Sequence, residues 1–204
     1  MNYDKAALDW DTKMRVERAE AIAKEIGQHI SNPCGNAMEF GCGTGLISFF
    51  LRDKLKNITL IDSSGGMIAQ VTKKIHDASA EGSMTALKLD LTKDRYTGQK
   101  FDFIYSSMVF HHIDDVASIT SVLRDCLRDG GRICIVDLDI VDEKFHENEI
   151  GFDGHHGFDQ NKIRDIFRSA GFENVESKTF YRNIKVVNGV DVPYSLFYIA
   201  AEVG

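Results

Sequence analysis

Apolar residues at Ala19, Ile22, Ala23 and Ile26 recur at the three- and four-residue spacing of one helix face, and Gly27 is a natural stop, so the chain reads as a helix over 12–25. Asn36-Ala37-Met38-Glu39-Phe40 is a short strand that runs straight into Gly41-Cys42-Gly43-Thr44-Gly45. The alternation then repeats, with a helix over 46–55, a strand over 58–61, a helix over 65–80, and strands over 84–89 and 101–105. A further helix carries Val116, Ile119, Val122, Leu123 and Leu127 on one face, and Gly130-Gly131 is read as the turn into an apolar strand over 132–138.

Continuous apolar strands alternating with amphipathic helices predict an α/β domain whose mostly parallel sheet is covered on both faces. The rhythm breaks after Asp139. The segment 141–158 is acidic, His-rich and aperiodic, and reads as a lid. Asp159 opens a helix with Ile163, Ile166 and Phe167 inward and Gly171 as its stop. Strands over 175–187 and 194–201 are joined by Asn188-Gly189, a pair suited to a tight hairpin, so the sheet is expected to end antiparallel.

Composition narrows the function classes. A chain of 204 residues suits one domain over 1–204, with 1–30 as a helical cap and 141–158 as the lid. The net charge of -7 lacks the bulk basic footprint of a nucleic-acid binder. No apolar run is long enough to span a bilayer, so no membrane partner is expected. The four cysteines, Cys34, Cys42, Cys126 and Cys134, form no CxxC pair and read as reduced thiols of a cytoplasmic protein, a monomer or homodimer. No HExxH or CxxC spacing argues for a metal, although His and carboxylates cluster in the lid.

The glycine loop sits at a strand-to-helix turn, at the carboxyl end of the first sheet strand, where open α/β sheets bind ligands. Its glycines stand at 41, 43 and 45. The dinucleotide fingerprint G-x-G-x-x-G would put its third glycine at Leu46. Such a loop alone is equally a tight βα turn. Asp62 ends the second strand, where its carboxylate can accept both ribose hydroxyls or cap the next helix. Asp90 ends the third, where it can accept from an adenine amino group, with Leu91 and Met67 against the ring, or serve as a turn residue. One acidic residue at each of these strand ends is harder to explain by turns alone.

As a set, Glu39-Phe40-Gly41-Cys42-Gly43-Thr44-Gly45, Asp62 and Asp90 resemble the class I S-adenosylmethionine-dependent methyltransferases, in the small-molecule branch similar to ubiquinone-biosynthesis methyltransferases. Phe101 to Ile113, Leu127 to Ile133 and Ala170 to Val175 resemble later motifs of that family, and the likeness runs from about 36 to 200. It implies a three-layer Rossmann-like sandwich with strand order 3-2-1-4-5-7-6 and strand 7 antiparallel. It implies S-adenosyl-L-methionine as cofactor, with Glu39 near its ammonium and Gly41, Cys42, Gly43 and Gly45 around its methionine part. Asp62 and Ser63 would stand at the ribose, Met67, Asp90 and Leu91 at the adenine, and Ser106 or Ser107 beside the sulfonium.

The acceptor side is less legible. Methyl transfer is an in-line displacement in which alignment and exclusion of water dominate, and a base is needed only when the acceptor must lose a proton. His111 and His112 follow the fourth strand and can shape the site. Asp137 and Asp139 end the fifth, and one of them can face a small-molecule acceptor. The lid holds His146, His155 and His156, and His155 or His156 is expected to reach the acceptor as the catalytic residue. Trp10 either covers the cofactor or anchors its segment on the core. Two rival readings share the fold: an NAD(P)-dependent oxidoreductase, opposed by Leu46, Asp90 and the terminal hairpin, and a non-catalytic cofactor-binding protein.

Overall fold

The computed structural model describes residues 3–30, 34–149 and 151–204, so positions 1 and 2 of the expected cap and position 150 of the expected lid lie outside it. Seven strands form one sheet in the order β3-β2-β1-β4-β5-β7-β6. They are β1 (Asn36–Phe40), β2 (Asn57–Asp62), β3 (Met84–Lys88), β4 (Phe101–Ser107), β5 (Leu127–Leu138), β6 (Phe172–Val187) and β7 (Val190–Val203). β1 to β5 pair in parallel, while β7 runs antiparallel to both β5 and β6. The predicted fold class and strand order are therefore present.

Six α-helices flank the sheet among the described residues: α1 (Tyr3–Ala6), α2 (Lys13–Ile26), α3 (Leu46–Leu51), α4 (Gly65–Asp77), α5 (Val116–Cys126) and α6 (Gln160–Ser169). The strands divide their side chains by the two-residue period. Phe103 and Tyr105 of β4 and Cys134 and Val136 of β5 join Ile22, Leu51 and Val71 of α2, α3 and α4 on one face. Ile104, Ile133 and Ile135 point the other way, into Leu123 of α5 and Phe167 of α6. The helix starts are fixed by side chains that accept otherwise unpaired N–H groups: Thr12 for α2, Ser64 for α4, Asp115 for α5 and Asp159 for α6.

Some predicted boundaries move. Gly130-Gly131 lies within β5 instead of before it, because 128–131 bulge out against a single residue of β4 and Gly130 takes φ +69°. α3 stops at Leu51 and a 3-10 turn, Arg52–Lys54, finishes the segment. The closing hairpin turns at Asn188 and Gly189, with φ +51° and +79°. It extends past the end of β5, whose last partner is Leu196, so Pro193 stands where no neighbour on that side needs its missing N–H. No helix among the described residues is long and apolar enough to cross a membrane.

Candidate functional site

The carboxyl ends of β1, β2 and β4 and the loop after β3 converge on a cavity of about 440 Å³. Ligand clefts run from roughly 300 to 1,000 Å³. The glycine loop forms its floor. The N–H groups of Gly41 and Cys42 both donate to the Ile61 carbonyl, which seats the loop on the end of β2. Gly41 has φ +69°, and a Cβ there would stand 2.3 Å from Val109 Cγ2. Gly43 has φ +53°, and its Cβ would point between the Trp10 indole at 3.6 Å and the Met67 sulfur at 3.9 Å. The first glycine is thus required by packing. The second keeps a cradle open toward the cavity.

Asp62 is tied into this cradle. Its Oδ2 accepts the Gly43 N–H at 2.8 Å and its Oδ1 the Ser64 N–H at 2.8 Å. Ser64, not Asp62, caps α4, by accepting the Met67 N–H on its hydroxyl at 3.2 Å. The carboxylate therefore lines the cavity with lone pairs to spare, and burial pushes its pKa up despite the two N–H donors. Ser63 lines the cavity beside it.

Asp90 also lines the cavity, accepting the Thr92 N–H and hydroxyl on one oxygen and the Lys93 ammonium at 2.8 Å on the other. Burial opposes its ionisation, but Lys93 and Thr92 outweigh it and hold the carboxyl below its usual range. Leu91 and Met67, both buried, supply apolar surface to the same cavity.

Glu39 faces the cavity from beneath the loop and is only 3 % exposed. It accepts the Ser48 hydroxyl at 2.5 Å, and Ser48 also contacts the Tyr105 hydroxyl at 2.6 Å. Burial pushes its pKa up to about 8, with the Ser48 bond opposing. A cation placed against Glu39 would restore its ionised form.

Cys42 lines the cavity as a buried, neutral thiol whose pKa burial raises. Ser107 lines it too, whereas Ser106 is fully buried and donates to the Phe40 carbonyl at 2.7 Å. Gly45 sits behind the wall, at φ +79°, where α3 begins. After Ser107 the chain reverses through Met108 at φ +59°, a rare conformation for a residue with a side chain, and this turn aims 107–109 at the cavity.

The N-terminal segment closes one side. Asp4 accepts the Ser64 hydroxyl at 2.6 Å and the Gly66 N–H at 2.8 Å, at the start of α4. Asp11 accepts the Thr44 hydroxyl at 2.5 Å and pairs with Lys74. Trp10, between these clamps, and Tyr3, just before the first, line the cavity. Trp10 thus both faces the cavity and belongs to an anchored segment, the two readings the sequence left open. Arg15 of α2 lies over the Trp10 ring, 3.9 Å from its centroid.

The histidines divide sharply. The Tyr3 hydroxyl lies 3.0 Å from His112 Nε2, and both residues line the cavity. Burial, reinforced by His111, pushes His112 down to about 4, and burial pushes Tyr3 up to about 12. The pair is therefore neutral near pH 7. His111 is buried behind, with Nδ1 2.6 Å from Asp137 Oδ1. Burial would raise the Asp137 pKa, but His111 and the backbone N–H groups of His111 and Leu138 hold it down.

His155 places Nε2 3.0 Å from the Ile113 carbonyl, and His156 Nδ1 lies 3.3 Å from His146 Nδ1. Neither is among the residues lining the cavity, nor are Asp137 and Asp139. Asp139 accepts from Gln160, Thr179 and Ser195. No group of three or more metal-ligating side chains exists among the described residues.

The cavity also uses residues the sequence reading did not single out: Tyr3, Arg15, Arg18, Thr44, Met108 and Val109. For the two arginines the signal was present. Positions 15, 18, 19 and 22 continue the inward stripe of the predicted helix by one turn. Met108 carried none, since nothing local marks its backbone conformation.

Comparison with known proteins identifies the family. Residues 11–177 match the family model described as "Methyltransferase domain". An uncharacterized methyltransferase of Schizosaccharomyces pombe is 30% identical over 152 residues, covering 68% of this chain and 54% of that protein. Malonyl-[acyl-carrier protein] O-methyltransferase 1 of Ilyobacter polytropus is 30% identical over 135 residues, 65% of this chain and 48% of the relative. The chain spans about half the length of these two curated relatives. Among solved structures, phosphoethanolamine N-methyltransferase 2 of Haemonchus contortus, in complex with phosphomonomethylethanolamine and S-adenosylhomocysteine, superposes with a TM-score of 0.73 at 17% identity, over 92% of this chain and 52% of that one. At that identity the likeness shows the fold alone. With the family model spanning most of its length, the chain belongs to the methyltransferase domain family, within the class I S-adenosylmethionine-dependent methyltransferases.

Proposed function

We propose that this chain transfers a methyl group from S-adenosyl-L-methionine to a small-molecule acceptor. The observation that carries the reading is the shared cavity: Gly43, Asp62 and Asp90 line one space, with Glu39 at its floor and Trp10 at its side. The donor set fits the cofactor. Asp62 offers acceptor oxygens for ribose hydroxyls, Asp90 for an adenine amino group, and Met67 and Leu91 offer apolar faces for the ring. Glu39 suits the ammonium. Arg15, with no carboxylate of the described residues within 4 Å, suits the carboxylate.

When bound, this cofactor supplies a methyl carbon on a sulfonium, and the C–S electron pair returns to sulfur as the acceptor's lone pair forms the new bond. The protein's part is to align the two and exclude water. Ser107, Met108 and Val109, turned by the strained Met108 backbone, form the wall beside the loop. Tyr3 and His112 close the remaining side. His112, pushed down to about 4, is a weak base near pH 7, so its role is to share a hydrogen bond with the Tyr3 hydroxyl and hold Tyr3 in place. His155 and His156, expected from the sequence at the acceptor, are assigned to structure: His155 to holding the lid against the loop after β4, and His156 to packing within the lid against His146 and Phe152.

The acidic composition accords with a small-molecule acceptor rather than a nucleic acid. Of the proteins named above, the Haemonchus contortus enzyme is seen in complex with a small molecule, phosphomonomethylethanolamine. Four buried free cysteines accord with a cytoplasmic location. A monomer or homodimer carries no conflict with the site, which is built from one chain.

Thermal-shift and calorimetric titrations with S-adenosylhomocysteine and NAD test the cofactor. The homocysteine cofactor product binds and NAD does not; tighter binding of NAD would return the chain to the oxidoreductase reading. A metabolite-extract assay for methyl transfer then separates an enzyme from a non-catalytic binder.

A further inference from the structure

The cationic end of the cavity has no use in cofactor binding beyond Arg15. Arg15, Arg18, Ala19 and Ile22 line the cavity from α2 at the spacing of one helix face, so the stripe changes from apolar to cationic one turn before Ala19. Both arginines are partly buried. Arg15 is engaged: it donates to the Trp10 carbonyl at 3.1 Å and covers the Trp10 ring beside the glycine loop. Arg18, a turn further along, has no carboxylate within 4 Å among the described residues, in a chain holding 31 Asp and Glu against 24 Lys and Arg. Its neighbour is the Tyr194 hydroxyl, which also has the Tyr181 hydroxyl beside it.

A third cation approaches from the closing hairpin. Lys185 of β6 donates to the Phe145 carbonyl at 2.6 Å, lies 4.1 Å from the centre of the Phe145 ring, and meets Glu149 at 3.4 Å. Burial lowers its pKa, Glu149 opposes that, and Arg18 and Arg15 add to the lowering. Arg15 and Lys185 thus share one lid carboxylate, Glu149, while Arg18 adds positive charge beside them without a carboxylate of its own among the described residues. Partly buried cations carry a desolvation cost that a bound anion offsets, and a guanidinium is shaped for two-point contact with a carboxylate or phosphate.

We propose that Arg18, backed by Lys185, Tyr181 and Tyr194, is the subsite for an anionic group on the methyl acceptor, a carboxylate or a phosphate monoester. The inference rests on the methyltransferase reading. It deepens that reading by assigning Arg15 to the cofactor's carboxylate and Arg18 to the acceptor.

The test uses the full chain saturated with S-adenosylhomocysteine and three probes: phenyl phosphate, phenylacetate and neutral benzyl alcohol. Binding of each is measured by calorimetry. At least one anionic probe binds about tenfold or more tightly than benzyl alcohol, and which one does so tells phosphate from carboxylate. Arg18→Gln loses that preference, Arg18→Lys recovers most of it, and both variants keep their affinity for S-adenosylhomocysteine, which shows that they fold. The subsite is overturned if no anion is preferred over benzyl alcohol, or if Arg18→Gln binds the anions as the parent does. Failure of S-adenosylhomocysteine to bind the parent chain sinks the methyltransferase reading itself, a separate result from loss of the probes alone.

Discussion

Two residues carry most of the cofactor assignment. Asp62 organises the loop through Gly43 and the start of α4 through Ser64, so its removal strands two N–H donors and takes away the ribose acceptor. Asp62→Ala is expected to weaken S-adenosylhomocysteine binding by about tenfold or more while leaving a cooperative thermal transition. Gly43→Val places a branched side chain into the cradle at φ +53°, a backbone cost of about 1–2 kcal/mol in addition to the lost space. Calorimetry on both checks this, and parental affinity in both would contradict the site. Glu39 gives a pH signature. Its protonated form is favoured in the unliganded fold, so that contribution to stability is complete below the ordinary carboxyl value of 4.5 and is lost as pH rises through about 8. Binding an ammonium needs the ionised form. Cofactor affinity should therefore rise between about pH 6 and 8, by at most about tenfold per unit for one released proton, and Glu39→Gln should flatten the profile. A flat profile in the parent chain would remove Glu39 from the ammonium site.

Among the elements, the sheet was legible and the closure was not. Strands and helices around Gly41–Gly45 announce themselves by period, and Asp159 stands where the start of α6 needs a side-chain oxygen. Asp62 was ambiguous between cap and ligand because either serine after it can cap, and only the geometry of Ser64 resolves it. The bulge at 128–131 was misplaced because two glycines read as a turn from local sequence, while pairing across β4 keeps both flanks in the strand. Arg15, Arg18 and Tyr3 lie far from the glycine loop along the chain, and their meeting in one cavity depends on how α1 and α2 pack. Asp4 and Asp11 clamp the N-terminal segment near its two ends, so the double change Asp4→Ala and Asp11→Ala is expected to speed cofactor release by about tenfold while leaving a cooperative thermal transition, a loss of closing contacts that appears in the off-rate. Trp10 is the only tryptophan and lines the cavity, so stopped-flow fluorescence reads that rate directly. An unchanged off-rate would make the segment a static support.

For the whole molecule, one arrangement explains the cofactor, the closing segment and the charge at the far end. A parallel sheet puts its strand tips at one edge, and the tips of β1, β2 and β4 with the loop after β3 surround a single cavity whose polar groups are acidic near the glycine loop and cationic along α2. The antiparallel β6–β7 hairpin extends beyond β5 and brings Lys185 and Tyr194 to that cationic end. The most direct measurement is a crystal structure of the chain with S-adenosylhomocysteine. The ribose hydroxyls should lie on Asp62, the adenine between Met67 and Leu91 with its amino group toward Asp90, and the homocysteine along Gly41 to Gly43. An adenosyl group bound elsewhere, or a cavity that stays closed at saturating ligand, would contradict the account.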